Sequence, residues 1–118
     1  MDTSERVLAG LSSPDWRERL RAIHALAELK DPQLIPPLVN VMVELAQHAQ
    51  LGEEVADEEE VGEATERAIF AMNKDARLPL EKLRGDVTQD GLTRDFAGYL
   101  LSQLDWWQML LKTNPGLR

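Results

Sequence analysis

The chain has no cysteine in its 118 residues, which removes disulfide bridges, zinc–thiolate sites and thiol nucleophiles together. A chain without cysteine suits a reducing compartment, and a cytoplasmic location is the expectation. Aromatic residues are scarce, at 5%, and no Asn-Gly or Gly-Gly pair separates alternating apolar runs, so nothing signals a sheet built from hairpins. Long apolar runs are missing too. The most apolar stretch, 34–51, is interrupted by Pro36, Pro37, Asn40, Glu44, Gln47 and His48. A membrane span wants about 20 nearly unbroken apolar residues, so no membrane partner is expected. The first residues, Met1-Asp2-Thr3-Ser4-Glu5, lack the cationic start and apolar run of a secretory leader, and none is expected.

Basic residues are absent from the middle of the chain. Residues 31–66 carry ten acidic groups and no Lys or Arg, whereas residues 1–30 are neutral and residues 67–118 carry +2, giving −8 overall. Non-specific affinity for nucleic acid comes from phosphate neutralisation by Lys and Arg. The central block would repel a polyanion, so DNA and RNA are not expected as partners.

What is present is helical periodicity over a length that suits one domain, taken here as 1–118. A short helix is expected over 3–11. The next, over about 14–30, has Ser13 as its expected cap and Pro14 as its first residue. Its apolar face is Trp16, Leu20, Ile23, Leu26, Ala27 and Leu29; Arg17, Arg21, His24 and Glu28 form the opposite, wet face. Asp31 and Pro32 start a further helix whose main body is placed at 36–50 and which is apolar almost all round, as a helix buried between neighbours should be. Beyond the acidic connection 53–60, Asp57 and Glu60 have capping-box spacing and a helix is expected over 58–73. Asp75 is read as the cap of a helix over 76–84. A helix over 89–104 and a last short one, capped by Asp105 and stopped by Asn114-Pro115-Gly116, complete the series. Leu26, Leu29, Leu38, Met42, Leu101 and Leu104 are the expected core.

An internal repeat supports this reading. A shift of 75 residues superposes Asp15 on Asp90, Arg19 on Arg94, Ala22 on Ala97, Leu26 on Leu101 and Leu29 on Leu104. A shift of 43 superposes Ala25 on Ala68, Leu26 on Ile69 and Leu29 on Met72. With Asp31-Pro32 and Ile35-Pro36-Pro37-Leu38 added, the segment beginning Asp15-Trp16-Arg17-Glu18-Arg19 resembles the HEAT repeat, in particular the bacterial type related to phycobilisome lyase subunits. The resemblance covers about 14–45 well, 88–112 less well and 55–85 poorly. Glu18 stands where that family usually has an aliphatic residue, and the acidic connection exceeds the usual turn. The resemblance implies an all-α fold, a short right-handed α-solenoid of about three helical hairpins, with an extended surface offered to another protein.

Candidate chemistry is thin. His24 and His48 are the only histidines, and no third ligand is spaced to join them. The acidic run 53–66 lacks the alternating ligands and mid-loop glycine of a calcium loop; it reads as a solvated face or as a dock for a basic partner, with Glu58, Glu59 and Glu60 at its centre. No phosphate loop, nucleophile elbow or Ser/His/Asp arrangement occurs. No enzyme activity, metal or cofactor is therefore expected. The expected role is a non-catalytic protein–protein interaction module of scaffold or adaptor type. The alternatives are an accessory subunit of a lyase or chaperone type and a self-assembling structural protein. At the C-terminus Trp106, Trp107, Met109, Leu110 and Leu111 occupy most of a helix circumference. The two tryptophans are about 100° apart, so one neighbour cannot bury both. Of Trp106, Trp107, Met109 and Leu110, one tryptophan with Met109 or Leu110 beside it is the expected contact with another chain, either a second copy in a homodimer or a different protein.

Overall fold

The computed structural model describes residues 3–53, 58–114 and 116. Among the described residues there are six α-helices, two 3₁₀ turns and no strand. The helices are α1 (Thr3–Leu11), α2 (Trp16–Leu29), α3 (Ile35–Gln50), α4 (Glu58–Phe70), α5 (Arg77–Gly85) and α6 (Gly91–Thr113). The 3₁₀ turns Pro32–Leu34 and Asn73–Ala76 lead into α3 and α5. None of these helices is long and apolar enough to cross a membrane.

Aspartates start three of the elements. The Asp15 carboxylate accepts from the Arg17 amide, that of Asp31 from Gln33, and that of Asp90 from Thr93, each answering a helical N–H that has no intrahelical partner. The expected Ser13 cap is corrected here. The Ser13 hydroxyl instead accepts from the Asp15 amide and donates to Glu18 at 2.6 Å, so Pro14 precedes the cap rather than opening the helix. Asp75 is likewise not a cap: it lies within the 3₁₀ turn, and α5 begins at Arg77 without a side-chain cap bond. Asp57 lies outside the described residues. Pro36 and Pro37 fall in the first turn of α3, where backbone N–H groups have no intrahelical acceptor to lose.

The hydrogen bonds from Thr88 to Asp86 and from Thr93 to Asp90 hold both carboxyls below the usual aspartate range. A depressed folded-state pKa adds stability above the unfolded value, and this is lost as pH falls through the carboxylate range. Thermal midpoints should therefore drop between about pH 5 and about pH 3, and replacing both residues by Asn should flatten that part of the profile.

α3 lies at the centre, in contact with α1, α4, α5 and α6, and buries Ile35, Leu38, Val39, Val41, Met42, Val43 and Leu45. The expectation of a helix enclosed by its neighbours is met. α2 packs on α1 and α4. α5 and α6 run antiparallel: Arg77 pairs with Asp105 at one end, and Arg94 Nε donates to the Arg84 carbonyl at the other. Of the expected core, Leu26, Leu38, Met42, Leu101 and Leu104 are buried. Leu29 is 43% exposed. It is the last residue of α2, and the chain turns away at Lys30 in the left-handed region (φ 49°), so no following turn covers it. Its repeat partner Leu104 is followed by nine more residues of helix and is fully enclosed.

The largest departure is at the C-terminus. Residues expected to form two helices, 89–104 and a short one after Asp105, form the single 23-residue α6. Asp105 does not cap anything. It sits mid-helix on the side facing α5, where its ion pair with Arg77, which also donates to Gln108, removes the reason for a break. The hydrogen bond to Asp105 holds the Arg77 guanidinium above its ordinary pKa.

Candidate interaction surface

The C-terminal half of α6 presents the expected contact residues in two directions. Trp106 and Met109 point outward and are 54% and 55% exposed. Leu110 is half-buried. Trp107, one residue and about 100° further round, is half-buried beside α4. There it borders a depression of about 330 Å³ with Arg67, Phe70 and Ala71. The two tryptophans are thus divided between a seated ring and a projecting one.

Glu58, Glu59 and Glu60 form the exposed first turn of α4. The positive end of the helix dipole stabilises carboxylates at this position, which accounts for part of the acidic run without any ligand. Glu58 also borders a second depression, of about 180 Å³, with Ala46 and Ala49 of α3, Gly62 of α4 and Phe96 of α6. Between the two depressions the Tyr99 hydroxyl lies 3.3 Å from the Glu66 carboxylate. Partial burial and the charge on Glu66 hold this phenol above its ordinary pKa.

Both α4 and α6 pack on α3, and these contacts run them in the same direction. Glu58 and Gly62 lie near Phe96, Glu66 meets Tyr99, and Phe70 lies near Trp107. The acidic turn and the tryptophan-bearing end, about fifty residues apart in sequence, are opposite ends of one seam. The floor of the seam was not legible beforehand. Phe96 and Phe70 are its aromatic members, with the exposed Tyr99 beside them, while Gly62, Ala46, Ala49 and Ala71 supply the space. The sequence feature that could have marked it is Gly62 inside a helix, where glycine costs stability. A Cβ at position 62 would meet nothing within 4 Å.

Elsewhere, polar groups are used up in packing. The Arg19 side chain is nearly buried, with its guanidinium 4.2 Å above the Trp16 ring; it pairs with Glu44 and donates to the Ser13 carbonyl. Trp16 meets His48 edge-on at 5.6 Å, and His48 Nδ1 lies 2.5 Å from Glu53. His24 is exposed on α2. Among the described residues no three His, Asp or Glu side chains converge as a metal site, and no buried side-chain polar atom lacks a partner. A further depression of about 290 Å³ lies between the start of α3 and α5, bordered by Pro32, Pro36, Leu78 and Pro79. Comparison of the chain with protein-family models, with curated proteins and with solved structures returns no match.

Proposed function

We propose that this chain is a non-catalytic protein-binding module of HEAT-like scaffold or adaptor type, and that the α4–α6 seam is its docking surface. The observation that carries this reading is the line of half-buried Trp107, Phe96 and Phe70 along the seam, with Trp106 and Met109 exposed on the outer side of the same stretch of α6. Tryptophan, methionine and other aromatics are favoured at protein interfaces, and exposed apolar residues grouped in this way call for a partner.

The HEAT-like part of the proposal rests on equivalent residues with equivalent tasks. Asp15 and Asp90 both cap their helices. Arg19 Nε donates to the Ser13 carbonyl and Arg94 Nε to the Arg84 carbonyl, so each arginine ties its helix to the segment before it. Ala22 with Ala97 and Leu26 with Leu101 are buried in both copies. Parallel α4 and α6, with α5 antiparallel between them in sequence, suit the stacking of helical hairpins.

The test compares affinity capture by the wild-type chain with capture by the double variant Trp106→Glu, Met109→Glu. Both positions are more than half exposed, so the unfolding midpoint should change by no more than about 0.5 kcal/mol equivalent. Specific protein capture should be lost. Equal capture by both forms would refute the assignment of this surface.

A further inference from the structure

The seam has a more specific shape than a general apolar patch. Its two depressions lie over Gly62 and over Phe70–Ala71 of α4. These points are eight residues apart, or about 12 Å along the helix axis at 1.5 Å per residue. Side chains seven or eight residues apart on a second helix have the same spacing and emerge on the same side. The floor is apolar and each depression has at least one small residue, so each can take one aliphatic or aromatic side chain.

The edges are predominantly acidic, with Arg67 beside the second depression as the exception. Glu58, Glu59, Glu60 and Glu63 stand exposed along α4, Glu66 lies half-buried beside Tyr99, and Asp95 is exposed on α6. Arg67 is the one cation of α4, and it is 3.3 Å from Glu63. A second copy of the chain would bring the same carboxylates to this surface on a molecule of net charge −8, and like charges brought together at an interface are costly. A helix with Lys and Arg beside its apolar stripe meets both requirements at once.

From this we infer that the α4–α6 seam receives a basic amphipathic helix, anchored by two apolar side chains two turns apart and flanked by Lys or Arg. The inference rests on the proposed docking role of the same surface and names the chemistry of its occupant.

The probe is a synthetic helix of about 18 residues with Leu at two-turn spacing and Lys on the flanks, titrated by calorimetry against the full chain. The control is a peptide of identical composition with the stripe scrambled. The designed helix should bind at least about tenfold more tightly than the scrambled one. Raising salt from about 50 to about 500 mM should weaken binding by a similar factor, as screening of surface charge requires. Gly62→Leu extends a side chain into the first depression from a backbone position where a Cβ meets no neighbour. It should therefore keep helix content and thermal midpoint while weakening the designed peptide about tenfold. Glu63→Lys should do the same, and Glu81→Lys on α5 should not.

Equal binding of the scrambled peptide, or indifference to both Gly62→Leu and Glu63→Lys, would overturn the inference. So would a salt-sensitive dimer that Gly62→Leu dissociates, because the occupant would then be a second copy. If the peptide fails while affinity capture still depends on Trp106 and Met109, the basic-helix occupant is wrong and the docking surface stands. If both fail, the docking surface falls with it.

Discussion

Replacing Leu26 by alanine should lower the stability of the protein by about 2–5 kcal/mol. Leu26 is fully enclosed on the face of α2 that also buries Arg19, Ala22 and Ile23, and α2 packs against both α1 and α4. The substitution removes three carbons from a site whose walls belong to more than one helix. Collapse of one wall would strain the others, so the cavity term adds to the transfer term. Leu29→Ala is the internal comparison. That side chain is 43% exposed at the end of the same helix and should cost less than about 1 kcal/mol. Urea titration of both variants, with unchanged slopes and midpoints compared, reads the difference. A smaller loss for Leu26 than for Leu29 would mean that α2 is rotated from the orientation described here.

That pair also shows where sequence periodicity reads a fold and where it stops. The recurrence of apolar residues at helical spacing located α2 and α3, and the nearly complete apolar circumference of α3 placed it at the centre. Periodicity gives the angle of a side chain about its helix. It does not say whether a neighbour reaches that level of the axis, and so Leu29, correctly placed in angle, lies past the end of its cover. Capping residues behave similarly. Ser13, Asp15 and Glu18 are close enough to exchange roles, and only the backbone at Asp15, in the extended region, decides which one caps. The candidate surface was legible in pieces: the glutamates of α4 by their charge, the tryptophans of α6 by their crowding. Their union depends on α4 and α6 lying in parallel, and that pairing is made by Glu66 with Tyr99 and by Phe70 near Trp107, contacts more than thirty residues apart. No local pattern encodes it.

Trp106→Pro should cost about 3 kcal/mol or more, and it separates the two readings of the C-terminal segment. If Asp105 capped a separate short helix, residue 106 would be its first residue. Proline is well tolerated there, since its fixed φ suits the helix and its missing N–H had no intrahelical acceptor. In the structure, Trp106 is instead the sixteenth residue of the continuous α6. A proline at this point removes an interior helical hydrogen bond and drives its ring into the carbonyl four residues earlier. The damage extends beyond one bond. Residues 107–113 would lose their register with α4, withdrawing Trp107 from the depression beside Arg67 and Phe70 and parting Gln108 from Arg77. Trp106→Ala is the necessary companion, because it removes the same half-exposed ring and leaves the backbone intact. The alanine variant should lie within about 1 kcal/mol of wild type. The proline variant should lose helical circular dichroism and show a red-shifted tryptophan emission as Trp107 meets water. If both variants unfold at the same denaturant concentration as wild type, the helix is broken at Asp105 after all, and the line from Glu58 to Trp107 does not exist as one surface.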